Sequence, residues 1–103
     1  MNIVGVSACT VGIAHTYMAQ TALQDAAKAA GDECKIEAQG TIGIENALTQ
    51  DEIDAADIVI LAVDVKISGE ERFEGKKCVK VPTEMAMKSP KKLVAKLHEL
   101  AGK

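Results

Sequence analysis

The segment 9–16, Cys-Thr-Val-Gly-Ile-Ala-His-Thr, is the part of this chain whose residue types and spacing offer chemistry. A short apolar run, Asn2 to Ser7, precedes it, and a helical stretch from about His15 to Ala30 follows, so Cys9 heads a strand-to-helix turn. A thiol in that place faces the unsatisfied amides and positive dipole end of a helix, which favour the thiolate. Gly12 lets the backbone curl so that successive N–H groups point inward as an anion nest. A nucleophilic sulfur at the rim of a phosphate-sized nest points to a phosphocysteine.

The rest of the composition narrows the setting. The 103 residues are enough for one core, which predicts a single domain over 1–103. With 48% hydrophobic and 26% charged residues, the chain has the balance of a folded globular protein. A net charge of -3, with Tyr17 and Phe73 as its only aromatics, argues against nucleic acid as a partner. The longest apolar run, Ile58 to Val63, is far below the roughly 20 residues of a membrane helix, and no secretory leader is visible, so the sequence reads as cytoplasmic. Cys9, Cys34 and Cys78 form no C-x-x-C pair, and His15 and His98 lie far apart, so neither a metal nor a disulfide framework is expected. No cofactor is called for.

The elements that position Cys9 follow from the hydrophobic pattern. Strands and helices alternate, as in a parallel α/β sheet. Glu33 to Gln39 alternates, with Cys34, Ile36 and Ala38 on one face and Glu33, Lys35 and Glu37 on the other, which reads as an edge strand with one polar face. Ile58 to Val63 is apolar on both faces and reads as central, while Lys77 to Val81, with Val79 and Val81 inward, reads as the second edge. Gly31 ends the first helix, Thr49 and Glu52 have the spacing of a capping box, and Ser89-Pro90 opens a last helix striped with Leu93, Val94, Leu97, Leu100 and Ala101. The expected architecture is a three-layer α/β fold with a four-stranded parallel sheet of order 2-1-3-4. That order puts a topological switch point at the carboxyl end of the first strand, where Ala8 to His15 lie.

Two readings of the loop compete. Protein tyrosine phosphatases use C-x5-R-[S/T], in which the arginine fork clamps the equatorial oxygens during attack on phosphorus. Here His15-Thr16 keeps the loop length and the hydroxyl but lacks the arginine, which leaves rapid hydrolysis of a phosphocysteine unsupported and favours a carrier. A low-molecular-weight phosphatase-like phosphohydrolase is the alternative.

The run Ala8-Cys9-Thr10-Val11-Gly12-Ile13-Ala14-His15-Thr16-Tyr17-Met18-Ala19 closely resembles the A-C-P-T-G-[IV]-A-H-T-[YF]-M-A signature of the fructose-family enzyme IIB components of the bacterial phosphoenolpyruvate:sugar phosphotransferase system. The resemblance continues through Glu37 to Gly40, Gly43 to Thr49, Ala55 to Asp57, Arg72 to Lys76 and Val81-Pro82, and so spans nearly the whole chain. Thr10-Val11 stands where the family usually has proline and threonine. The resemblance implies a phosphohistidine-to-sugar phosphotransferase. Enzyme IIA donates to Cys9, and Cys9 passes the phosphoryl group to fructose or a fructose-like sugar held by the membrane-embedded IIC permease, with which the chain associates transiently or covalently. It also implies that Thr10, Val11, Gly12, Ile13, Ala14, His15 and Thr16 hold the phosphate.

The remaining candidates read as structural. Cys34 and Cys78 fall in strand patterns and are expected as small buried hydrophobes, and His98 as a helix residue. The carboxylates at 51, 52, 54, 70 and 71 are expected to be solvated surface, and Gln39-Gly40 and Glu45-Asn46 to be either turn residues or a border of the active loop.

Overall fold

The computed structural model describes residues 1–9, 13–40 and 43–102. Its elements in chain order are β1 (Asn2–Ala8), α1 (Ile13–Ala29), β2 (Glu33–Gly40), β3 (Gly43–Glu45), α2 (Gln50–Ala55), β4 (Ile58–Val63), a 3-10 turn (Glu70–Phe73), β5 (Cys78–Val81), α3 (Thr83–Lys88) and α4 (Pro90–Ala101). The sheet order is β3-β2-β1-β4-β5. β2, β1, β4 and β5 run parallel, in the expected 2-1-3-4 arrangement of four parallel strands.

The sheet has five strands rather than four. β3 adds antiparallel to β2, with Gln39 opposite Ile44 and Gly40 opposite Gly43. Gly43 (φ 117°) and Asn46 (φ 56°) take the left-handed backbone that lets so short a strand reverse and leave again. β2 is therefore an interior strand and not the edge.

Both faces of the sheet are covered. Ile3, Ile36, Ile58 and Ile60 pack with Ala19, Leu23 and Ala27 of α1 and with Leu93, Val94 and Leu97 of α4. On the other face, Val4, Val6, Ala8, Val59, Leu61 and Val63 pack with Leu48, Ile53, Ile67 and Phe73. β4 is buried at every position, as its unbroken apolar run requires. The helix ends follow local rules: Thr49 and Glu52 close both bonds of the capping box, and Gly31 (φ 83°) and Gly102 (φ 72°) stop α1 and α4. Leu100, placed on the inner stripe of α4 by its spacing, is exposed instead.

The polar face expected for β2 is only partly polar. Glu37 is fully buried and meets Arg72 as a bidentate pair, Nη1 to Oε1 and Nη2 to Oε2, both at 2.9 Å. The amide of Leu48 (3.0 Å) and Nε2 of Gln39 (2.8 Å) donate to the same carboxylate, one to each oxygen. Burial pushes the Glu37 carboxyl up, but the hydrogen bonds from Arg72, Gln39 and Leu48 outweigh it and hold the carboxyl below its ordinary value. Among the carboxylates expected to be free, Glu52 serves the capping box and pairs with Lys35 at 2.8 Å.

Two predictions follow from this packing. A Cβ on Gly5 would stand 2.1 Å from the carbonyl oxygen of Ile60 and 2.8 Å from its Cγ2, so Gly5→Ala is expected to cost about 3 kcal/mol, the upper end for an overpacked core. Urea unfolding checks this, and an unchanged midpoint contradicts the contact. For Glu37 the folded value lies below the unfolded value of about 4.3, so its contribution is fully present above that pH and is lost as pH falls through the folded value. The stability gap between the parent and Glu37→Gln should therefore be wide at neutral pH and close in acid, as read from thermal midpoints across pH.

Candidate functional site

β1 is flanked on both sides by parallel strands, with Ala8 beside Gln39 of β2 and Val63 of β4, so its carboxyl end opens into the crevice at the switch point. Cys9 is the next residue. The alternation that turns Ala8 toward the α2 face sends Ser7 and Cys9 toward α1. Two contacts join that end to the first turns of α1: Ser7 Oγ donates to the carbonyl of Thr16 at 2.8 Å, and Cys9 Sγ lies 3.2 Å from Thr16 Oγ1. Thr16 and Ser7 are buried, while Cys9 is half-exposed and reachable. When the sulfur is a thiolate, Thr16 Oγ1 is the donor in this contact.

Of the expected phosphate-holding residues, Ile13, Ala14, His15 and Thr16 form the first turns of α1, whereas Thr10, Val11 and Gly12 lie outside the described residues. The start of α1 aims backbone amides toward the Cys9 end of the loop. His15 is half-buried. The Glu84 carboxyl in α3 is held low chiefly by Lys88, with a smaller pull from His15, which brings the imidazole within electrostatic reach of α3.

Sequence reasoning missed the tie that brings α3 to this end. The amide of Asp64, just after β4, donates to the carbonyl of Ala8 at 2.9 Å. The Asp64 carboxylate accepts from the amide (3.0 Å) and hydroxyl (2.6 Å) of Thr83 and so caps α3 from 19 residues away. No local capping pattern announces it, because the cap comes from another segment. On the opposite side, Glu45 raises the Tyr17 phenol chiefly through a hydrogen bond, which joins β3 to the start of α1. Gln39 and Gly40 close β2 directly beside Ala8, and so border the loop as one of the two expectations had it.

The other thiols stand apart from this site. Cys34 is half-buried, and burial, with a smaller contribution from Asp32, pushes its thiol up to about 12. Cys78 is exposed, contrary to expectation, because only alternate residues of the outer strand β5 face the core; its thiol is raised by partial desolvation and then by Glu70. His98 lies 2.5 Å from Asp32 at the far end of α4. The one arginine of the sequence is also committed: Arg72 donates through Nε to the carbonyl of Gly69 at 2.7 Å and through both terminal nitrogens to Glu37, with its guanidinium 5.1 Å from the centre of the Phe73 ring.

Comparison with known proteins bears on the family and the fold. The family model described as "PTS system, Lactose/Cellobiose specific IIB subunit" matches residues 4–96. The "PTS system fructose-like EIIB component 2" of Escherichia coli is 50% identical, over 94% of this chain and 92% of its own length. The "PTS system fructose-specific EIIABC component" of Bacillus subtilis is 43% identical over 92% of this chain, which corresponds to 15% of that much longer protein. A solved domain of the fructose-specific IIABC component of Borrelia burgdorferi superposes with a TM-score of 0.89 at 47% identity, covering 94% of this chain and 92% of that one. The enzyme IIB subunit of Escherichia coli superposes at 0.92 with 38% identity, covering 98% and 94%. With the family matched over most of its length and the fold shared from end to end, the chain belongs to the IIB components of the sugar phosphotransferase system.

Proposed function

We propose that Cys9 carries a phosphoryl group between enzyme IIA and a sugar. The sulfur attacks the phosphorus of a phosphohistidine on IIA; the S–P bond forms as the N–P bond breaks, and the imidazole leaves. A hydroxyl of the sugar held by the membrane-embedded IIC permease then attacks the same phosphorus. The O–P bond forms, the S–P bond breaks, the hydroxyl proton passes to solvent and the thiolate is restored. Such transfer asks for in-line positioning and charge stabilisation, and backbone amides at the start of α1 can supply both. The observation that carries this reading is the placement of a reachable Cys9 sulfur 3.2 Å from the Thr16 hydroxyl at the head of α1.

Carriage is favoured over hydrolysis by the engagement of Arg72. A phosphatase needs a guanidinium fork on the equatorial oxygens, and the only arginine in the sequence is bound to Glu37 and Gly69 instead. The phosphocysteine is thus left for a partner rather than for water.

The partners follow from the relatives and the surface. Relatives named EIIBC and EIIABC components carry a comparable IIB region within a longer chain, in keeping with IIA and IIC as donor and acceptor and with a place on the cytoplasmic side of the permease. Relatives that cover most of the chain are named for fructose or fructose-like systems, which supports a ketohexose or a close analogue as the acceptor. Among the described residues, three of the four large exposed apolar side chains, Met18 of α1, Ile44 of β3 and Met85 of α3, belong to elements tied to the Cys9 end of the sheet. A modest apolar rim of that kind suits successive, transient encounters at one sulfur.

Incubation with a phosphorylated IIA is expected to load one phosphoryl group on the parent and none on Cys9→Ser, with negligible turnover of p-nitrophenyl phosphate by either. Label on Cys9→Ser, or rapid p-nitrophenyl phosphate turnover, contradicts the carrier reading. The Thr16 contact has its own test. Thr16→Val removes the donor to sulfur while keeping the shape, so alkylation of Cys9 by iodoacetamide near neutral pH should slow several-fold, about the worth of one charge-assisted hydrogen bond. Cys34, with its thiol pushed up to about 12, should stay unmodified in both proteins.

A further inference from the structure

The Gln39 side chain closes a bridge that the reaction sequence above does not use. Gln39 is the residue of β2 beside Ala8, one step before Cys9 in the neighbouring strand. Its Nε2 donates to the carbonyl of Ser68 at 2.9 Å, and its Oε1 accepts from the amide of the same Ser68 at 2.9 Å. A primary amide paired to the N–H and the carbonyl of one residue copies a strand-to-strand bridge. It reaches from β2 past the end of β1 to the segment that follows β4. Nε2 also donates to Glu37 at 2.8 Å, which fixes the orientation of the amide, because only the nitrogen can face the carboxylate. Glu37 is fixed in turn by Arg72, whose Nε holds the carbonyl of Gly69. Gly69 has φ 74°, and a Cβ there would lie 2.7 Å from Arg72 Nε, so the turn is shaped to receive the guanidinium.

The bridge therefore joins the two segments that flank Cys9 on the α2 side of the sheet. One is the end of β2 with its partner strand β3, which carries exposed Ile44; the other is the stretch from Asp64 to Gly69, which carries exposed Lys66. The contacts of the sulfur with Thr16 lie on the α1 side. We infer that Gln39 is a positioning residue for phosphoryl transfer, holding the two flanking segments in the spacing that a phosphohistidine-bearing IIA meets, while leaving the thiol's own reactivity to α1. This inference rests on the carrier reading of Cys9.

Single-turnover charging of the full chain by increasing, excess concentrations of a phosphorylated IIA tests it, with KM the half-saturating donor concentration and kcat the limiting charging rate. Gln39→Leu keeps the bulk and loses all three hydrogen bonds, so KM for the donor should rise about tenfold, with kcat and the rate of Cys9 alkylation unchanged. Ser68→Ala, which alters only a side chain the bridge does not use, should behave as the parent. Gln39→Glu supplies a variant that titrates. Placed against the Glu37 carboxylate, with Arg72 beyond it and Glu45 turned to the α1 face, its carboxyl is raised by the nearer like charge. Once protonated it can donate to one acceptor again. Its KM should therefore fall back toward the parent value as the pH is lowered, while that of Gln39→Leu stays flat relative to the parent. The inference is overturned if KM is unmoved in both Gln39 variants, if kcat or alkylation falls instead, or if Gln39→Glu shows no recovery with pH. If no phosphoryl group reaches Cys9 of the parent itself, the carrier reading fails and takes this inference with it; the parent control tells the two failures apart.

Discussion

Everything at the functional end depends on β1 being held between two parallel neighbours. Its ladders to β2 and β4 fix where the strand stops, and that stop sets Cys9 at the crevice between the paired ends. The burial of β1 on both faces leaves no slack for a shift in register, since a slip by one residue would send every side chain to the opposite layer. Gly5 lies at the tightest point of this arrangement, where the carbonyl of Ile60 leaves no room for a side chain. The chemistry proposed for Cys9 is thus inherited from the packing of the strand that precedes it.

From that fixed point the two sides of the sheet divide the work. On the α1 side, Ser7 and Thr16 bind the end of the strand to the beginning of the helix, and the Thr16 hydroxyl sits against the sulfur. On the α2 side, Glu37, Arg72, Gln39 and Ser68 tie together the segments that border the crevice. A buried ion pair contributes little net stability against an apolar pair of the same shape, yet losing one partner is costly. Its role here is understood better as orientation: four donors saturate Glu37, and the saturated carboxylate dictates which way Gln39 must point.

Much of this was readable from residue order, and the rest for definite reasons was not. The unbroken apolar run of Ile58 to Val63 and the alternation of Glu33 to Gln39 led to the parallel order, and the strand-to-helix turn led to Cys9 and Thr16. Alternation tells which residues share a face but not whether that face is covered, and nothing local to Glu37 marks it as paired with Arg72, 35 residues later. β3 escaped notice because three residues are too few to show a period; the spacing of Gly40 and Gly43 was the available signal. α3 depends on Asp64 from another segment for its cap, a contact that no local pattern encodes.

The central claim is that the phosphoryl group resides on sulfur, and phosphorus NMR of the loaded protein addresses it most directly. After exposure to a phosphorylated IIA and removal of the donor, the account predicts a single protein-bound resonance with the shift of a thiophosphate ester, lost when Cys9 is alkylated beforehand. A resonance of the phosphoramidate type, marking a phosphoryl group on His15 or His98 and surviving alkylation of Cys9, would contradict it.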